Sequence, residues 1–160
     1  MASVGVACGL QTQDLNFIYF DAHDDLDSPD VNENGYFDAM GLSMLRGESW
    51  ETLTKTIPGF EPFEYNGRFL YCGLQDQSNV QRRSVLDAGM DAIWGRTDCK
   101  VDFCAELERR LGAYFYTGLV HLDLNVLDQS YGKANDYPSP GGLSERLIWV
   151  LCLGRVFLDL

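Results

Sequence analysis

The chain of 160 residues has no apolar run near the ~18 residues that a membrane-spanning helix needs, and no basic stretch leads into an apolar one at its N-terminus as a secretory signal would. Basic residues are few. Twelve Lys and Arg stand against 24 Asp and Glu, a formal net charge of −12. A field of that sign repels phosphate backbones, which argues against nucleic acid as a partner and makes cations the natural counter-charges. There is no Cys-x-x-Cys pair, and Cys8, Cys72, Cys99, Cys104 and Cys152 form an odd set whose spacing suits neither a zinc knuckle nor a thioredoxin-like motif. Reduced thiols packed as small apolar residues are the expected state, which places a soluble, intracellular chain in the cytoplasm. Repeats, low-complexity segments and linkers are absent, so one domain over residues 1–160 is expected. At 46% hydrophobic and 12% aromatic residues, the composition suits a chain with a core rather than a disordered tail.

Four short apolar runs read as strands: 16–20, Phe69–Cys72 closed by Gly73, Ala92–Trp94 ending at Gly95, and Leu119–Leu124. Between them, Asp76–Leu86 and Val101–Leu111 carry apolar residues near helical spacing with charges on the other face. Strands alternating with helices predict an α/β fold, a parallel sheet with helices on its faces.

Ligands of such sheets bind beyond the carboxyl ends of the strands. Two of the strands run there into acids: Asp21-Ala22-His23-Asp24-Asp25 after the first, and Asp123-Leu124-Asn125-Val126-Leu127-Asp128 around the end of the last. Carboxylates and an imidazole brought to one sheet edge repel unless a cation sits among them, and a mixed carboxylate and imidazole set suits manganese, iron or zinc better than calcium.

Taken together, these segments resemble the ureohydrolase family, which includes arginases, agmatinases and formiminoglutamases. The family carries an Asp-Ala-His-x-Asp motif after one strand and an Asp-x-Asp-x-x-Asp motif after another. The first is intact here as Asp21, His23 and Asp25; the second reads Asp123, Asn125 and Asp128, followed by Gly141-Gly142-Leu143 as in the family. Tyr71-Cys72-Gly73-Leu74-Gln75-Asp76 is similar to the family's Gly-Leu-Arg-Asp segment, and the likeness runs from about residue 14 to residue 145. The resemblance implies a three-layer, arginase-like parallel sheet and a pair of Mn2+ ions. It also implies hydrolysis of a guanidino or amidino C–N bond in a small substrate, and a homo-oligomer. By the same resemblance Asp21 and Asp123 bridge both ions, Asp25 ligates the first, His23 the second, and Asn125 is the last ligand of the second. A hydroxide held between the ions attacks the guanidinium-type carbon. Asp24, Asp27 and Asp128 are either supporting carboxylates or a solvated acidic loop.

Several positions depart from the family pattern. Asn125 replaces an Asp, leaving a weaker neutral donor. Asp38 lies where arginases place a proton-shuttling His; it is the candidate catalytic relay, although an ordinary carboxyl near pKa ~4 shuttles poorly at neutral pH. Asp76 and Ser78 fall in the substrate-reading segment, Ser78 where arginases have an Asp. The family's upstream His segment and downstream Glu have no counterpart, and residues 147–160 are apolar nearly all round. The expectation is therefore an incomplete, truncated piece of a ureohydrolase, with two ions, one or none. The alternative is a non-catalytic, degenerate metal-binding or partner subunit.

His121, mid-strand with its side chain opposite Leu122, reads as a core histidine rather than a ligand. Trp50, Trp94 and Trp149 read as core. Asp30–Asp38 matches the first nine positions of a calcium loop, but position 12 is Gly41 instead of a bidentate Glu, so only weak binding is expected there.

Overall fold

The computed structural model of the protein describes residues 16–75, 77–114, 118–134, 136 and 138–147, with the side chains of 112–114 and 118 excluded. Four strands, β1 (Asn16–Phe20), β2 (Phe69–Leu74), β3 (Asp91–Trp94) and β4 (Gly118–Leu122), pair in parallel in the order β3-β2-β1-β4. Side chains alternate across the sheet with a period of two. Phe17, Tyr19, Phe69 and Tyr71 face one side; Ile18, Phe20, Leu70 and Cys72 face the other.

The first face is aromatic. Phe17, Phe63, Tyr65, Phe69 and Tyr71 pack mostly edge-to-face, the arrangement that ring quadrupoles favour. Leu42 and Leu45 of α1 (Gly41–Leu45) and Val85 of α3 (Asn79–Asp87) cover it. A short α2 (Glu51–Thr54) follows Trp50. On the second face, α4 (Phe103–Tyr114) lays down Phe103, Leu107 and Leu111 at four-residue spacing. Helices on both faces of a parallel sheet make the expected three layers.

The expected strands are all present, with shifted ends. β2 runs on through Gly73, where the pairing register with β3 shifts between Cys72 and Leu74. Gly73 has φ +101, and a Cβ there would lie 2.4 Å from Val126 Cγ2 and 2.7 Å from Leu143 Cδ1. Its bare Cα lets the segment after β4 lie flat over β2. β4 stops at Leu122 because Asp123 caps a 3-10 turn, Leu124–Val126, its Oδ1 accepting the Asn125 N–H at 2.8 Å. The helices α1 and α2, and the 3-10 turn Asp38–Met40, lie in the 35–55 stretch where no element was expected.

The helix expected from Asp76 starts at Asn79, because Ser78 caps it. Ser78 Oγ accepts the Gln81 N–H at 3.3 Å, while Gln81 Oε1 accepts the Ser78 N–H at 3.0 Å, a reciprocal capping box. Ser78→Ala is expected to lower stability by about 1 kcal/mol, read by urea titration. Among the described cysteines, Cys72 is buried, as the small-apolar reading expects, while Cys99 and Cys104 are exposed. Cys8, Cys152, Trp149 and most of the apolar 147–160 run lie outside the described residues. No described helix is long and apolar enough to cross a membrane.

Candidate metal centre

The strand order places the site. From β1 the chain moves outward through β2 and β3, then returns to the other side of β1 as β4, which makes the gap between β1 and β4 a topological switch point. Phe20 pairs with Leu122, and the Asp123 N–H donates to the Phe20 carbonyl at 2.8 Å. The next residue of β1's trailing segment is Asp21, so in-register pairing of β1 and β4 brings Asp21 and Asp123 together. Asp21, His121 and Asp123 each offer a ligand atom, and those atoms lie within 4.8 Å of one another.

Asp21 is 2% exposed and stands between two imidazoles: His23 Nδ1 is 3.5 Å from Oδ1, and His121 Nε2 is 3.5 Å from Oδ2. Its Oδ1 also accepts the His23 N–H at 2.9 Å. Burial pushes the Asp21 carboxyl up, but His121, His23 and that N–H outweigh it, holding the group below its ordinary value. His121, which the sequence reading took as core rather than ligand, also stands at this edge. Its side chain does point away from Leu122, and its ring stacks on Tyr19 with centroids 4.1 Å apart. The core reading stops there, because Nε2 is turned toward Asp21 and is buried without a hydrogen-bond partner. The signal for this was the two-residue period, which sets His121 on the same sheet face as Asp123.

His23 and Asn125 form a second, more exposed part of the edge. Asn125 Oδ1 accepts the Ala22 N–H at 3.0 Å, which fixes the amide orientation and leaves its NH2 against His23 Nδ1 at 3.0 Å. As placed, Asn125 thus positions His23 and directs no free oxygen toward it, unlike the ligand role that the resemblance implied. Nδ1 can serve one neighbour at a time: neutral, it accepts from Asn125; protonated, it donates to Asp21, whose carboxylate raises the His23 pKa.

Asp25 lies outside the three-residue cluster and accepts the Tyr19 hydroxyl at 2.7 Å. Its φ of +49 is left-handed, a conformation that a non-glycine residue adopts at some cost and that often marks a site under constraint. Burial first, and the nearby Asp21 charge second, push its carboxyl up to about 7. The unfolded chain gives up this proton near pH 4, whereas the fold keeps it until about pH 7, so the group subtracts stability as pH rises across that window. Asp25→Asn, which keeps an oxygen for Tyr19, is expected to stabilise the metal-free protein by on the order of 2 kcal/mol at pH 8 and by nothing below pH 4. Thermal unfolding at the two pH values with chelator present checks this.

The remaining described candidates make local contacts. Asp24 is buried, with Oδ1 on the Leu26 N–H and Oδ2 unpartnered, and Asp27 accepts the Asn32 amide. Asp128 Oδ1 accepts the Ser130 N–H at 2.9 Å and Oδ2 the Gly141 N–H at 2.6 Å, clasping the Gly-Gly turn. Asp38 is exposed and accepts the N–H of Ala39, the residue after it; it is not part of the Asp21 cluster. Ser78 is the helix cap described above, and Asp76 lies outside the described residues. In the calcium-loop segment, the Asn32 side chain is occupied by Tyr36 N–H and by Asp27. Two clefts of about 800 and 1070 Å³ lie around 96–102, away from the Asp21 cluster.

No protein-family model matches the chain. The arginase of Neurospora crassa is 25% identical over 138 residues, covering 84% of this chain and 38% of that protein. The arginase of Coccidioides posadasii is 23% identical over the same length, 84% of this chain and 43% of that protein. The chain thus spans less than half the length of these curated relatives. Among solved structures, Bacillus cereus arginase superimposes with a TM-score of 0.72 at 20% identity, over 90% of this chain and 51% of that one. Entamoeba histolytica arginase, solved with L-ornithine, gives 0.69 at 18% identity, over 89% and 48%. The chain is related to the arginases. The chain covers about half of those arginase structures, and the ureohydrolase-like motifs Asp21-Ala22-His23-Asp24-Asp25 and Asp123 to Asp128 lie at the edge between β1 and β4.

The residues on that edge fit a divalent cation. A buried carboxylate between two imidazoles, a second carboxylate in reach, and a buried imidazole nitrogen with no partner form a donor set that an ion completes.

Proposed function

We propose that this chain holds divalent metal between the carboxyl ends of β1 and β4, Mn2+ in the first instance, and hydrolyses a guanidino or amidino C–N bond of a small substrate. The convergence of Asp21 and Asp123 carries this reading, because two motifs about a hundred residues apart meet as ligand-bearing side chains. Asp21 and Asp123 would hold the metal, with His23 and Asp25 beside them. Ions there supply Lewis acidity and a nucleophile from water at neutral pH. The chain's own residues do the rest. Tyr19 orients Asp25 through its hydroxyl, Asn125 orients His23, and the chain's excess of negative charge favours a cationic substrate such as a guanidinium.

The test is elemental analysis after Mn2+ loading and gel filtration, followed by urea release from a panel of guanidino compounds. Bound metal with urea release supports the reading. Bound metal without urea replaces it with the non-catalytic, metal-binding alternative, for which the commitment of the Asn125 oxygen to Ala22 speaks. A protein that retains no metal overturns both.

A further inference from the structure

Beyond the metal-holding residues named in the proposed function, the described residues offer the clefts around 96–102, the exposed thiols, and His121. The clefts are lined by charges of both signs and point to no single ligand, and the thiols stand alone. His121 differs, because a buried polar atom is aimed at a carboxylate and has no bond to it.

We infer that His121 Nε2 is a direct metal donor, forming with Asp21 Oδ2 and Asp123 an imidazole-dicarboxylate site that prefers a borderline first-row ion such as Zn2+ over Mg2+. This rests on the proposed metal-holding function and adds a ligand from inside β4. Geometry is the first support. The three donors come within 4.8 Å of one another, and Nε2 stands 3.5 Å from Asp21 Oδ2, too long for a good hydrogen bond and suited to two ligands of one ion. Burial is the second. A ring nitrogen shut off from water without a partner costs free energy, and a ligated ion removes that cost. Pre-organisation is the third: the Tyr19 ring, stacked at 18° to the imidazole, holds the ring plane, so little rotamer freedom remains to be lost on binding.

The two oxygens of Asp21 then divide the edge. Oδ2 faces His121 and Oδ1 faces His23, so the carboxylate separates two imidazole-bearing positions. Imidazole nitrogen favours zinc, cobalt and iron over magnesium, whereas carboxylates alone would not discriminate in that sense.

The test uses the whole chain. It contains only two histidines, so an imidazole 15N spectrum shows two rings, and the His121→Phe protein assigns them. On Zn2+ addition, the Nε2 resonance of His121 is expected to shift. His121→Phe, which keeps a ring against Tyr19, is expected to weaken Zn2+ binding by at least ~10-fold while changing Mg2+ binding little. Zinc that binds while the His121 resonance stays in place overturns the inference and leaves the proposed function intact. So does a folded His121→Phe protein with unchanged zinc affinity. If the unaltered chain binds neither Zn2+ nor Mn2+, the proposed function falls and the inference with it.

Discussion

Asp21→Asn is expected to reduce divalent-ion affinity by at least ~100-fold, because even residues that merely orient a ligand are worth ~10- to 100-fold each, and Asp21 is the member of the site in contact with both imidazoles. The substitution keeps one oxygen for the His23 N–H and removes the charge. It leaves an amide NH2 facing His121, where an ion would have to sit. Stability should move little. The carboxylate is held low by its two histidines, which favours it, yet it is almost fully buried and close to Asp25, which does not. Calorimetric titration with Mn2+ and Zn2+, beside urea unfolding of the metal-free protein, separates the two effects. A variant that folds and binds ions as tightly as the unaltered chain would remove Asp21 from the site.

The second large effect lies in the turn behind the site. Gly142→Ala is expected to cost about 3 kcal/mol or more. A Cβ at Gly142 would stand 2.4 Å from the Val126 carbonyl oxygen, 2.5 Å from Gln75 Nε2 and 2.7 Å from the Asp128 nitrogen. The first two are bonded to each other, Gln75 Nε2 donating to the Val126 carbonyl at 2.9 Å, so neither can give way without breaking a buried hydrogen bond. The same oxygen accepts the Leu143 N–H, and the Asp128 N–H donates to the Leu143 carbonyl. The added methyl therefore pries apart the segment that follows Asp123. For a chain of this length the loss corresponds to a melting temperature lower by about 6–12 °C. A melting curve unchanged within error would show that the turn relaxes without loss.

What the sequence made legible follows physical lines. The β1 run and its acids were readable because a fully buried parallel strand is a continuous apolar block, and the acids interrupt it at the sheet's edge. The meeting of Asp21 with Asp123 was expected from the acids at two strand ends and the rule that ligands sit beyond strand carboxyl ends; the pairing of β1 with β4 that achieves it was not legible and comes from the structure. The region 35–55 was not readable: α1 and α2 span five and four residues, too short for a helical period to show. At Asn125 the family resemblance implied a metal donor, but the amide's orientation depends on the Ala22 backbone 103 positions away. His121 was read as core, and its stacking on Tyr19 agrees with that; what the sequence did not show is that the register sets Asp21 one step beyond, facing its Nε2. Ser78 was weighed for substrate contact by analogy of position, whereas its neighbour Gln81 had already defined a cap.

The bond from Ala22 to Asn125 closes a loop of 103 residues. Contacts of such long range form late in folding, since the chain entropy lost in closing them is regained only when the sheet is nearly assembled. Ion uptake should accordingly lag behind helix formation in a refolding experiment. A bound cation would act as a latch on the last strand to dock, slowing its release more than it speeds its arrival.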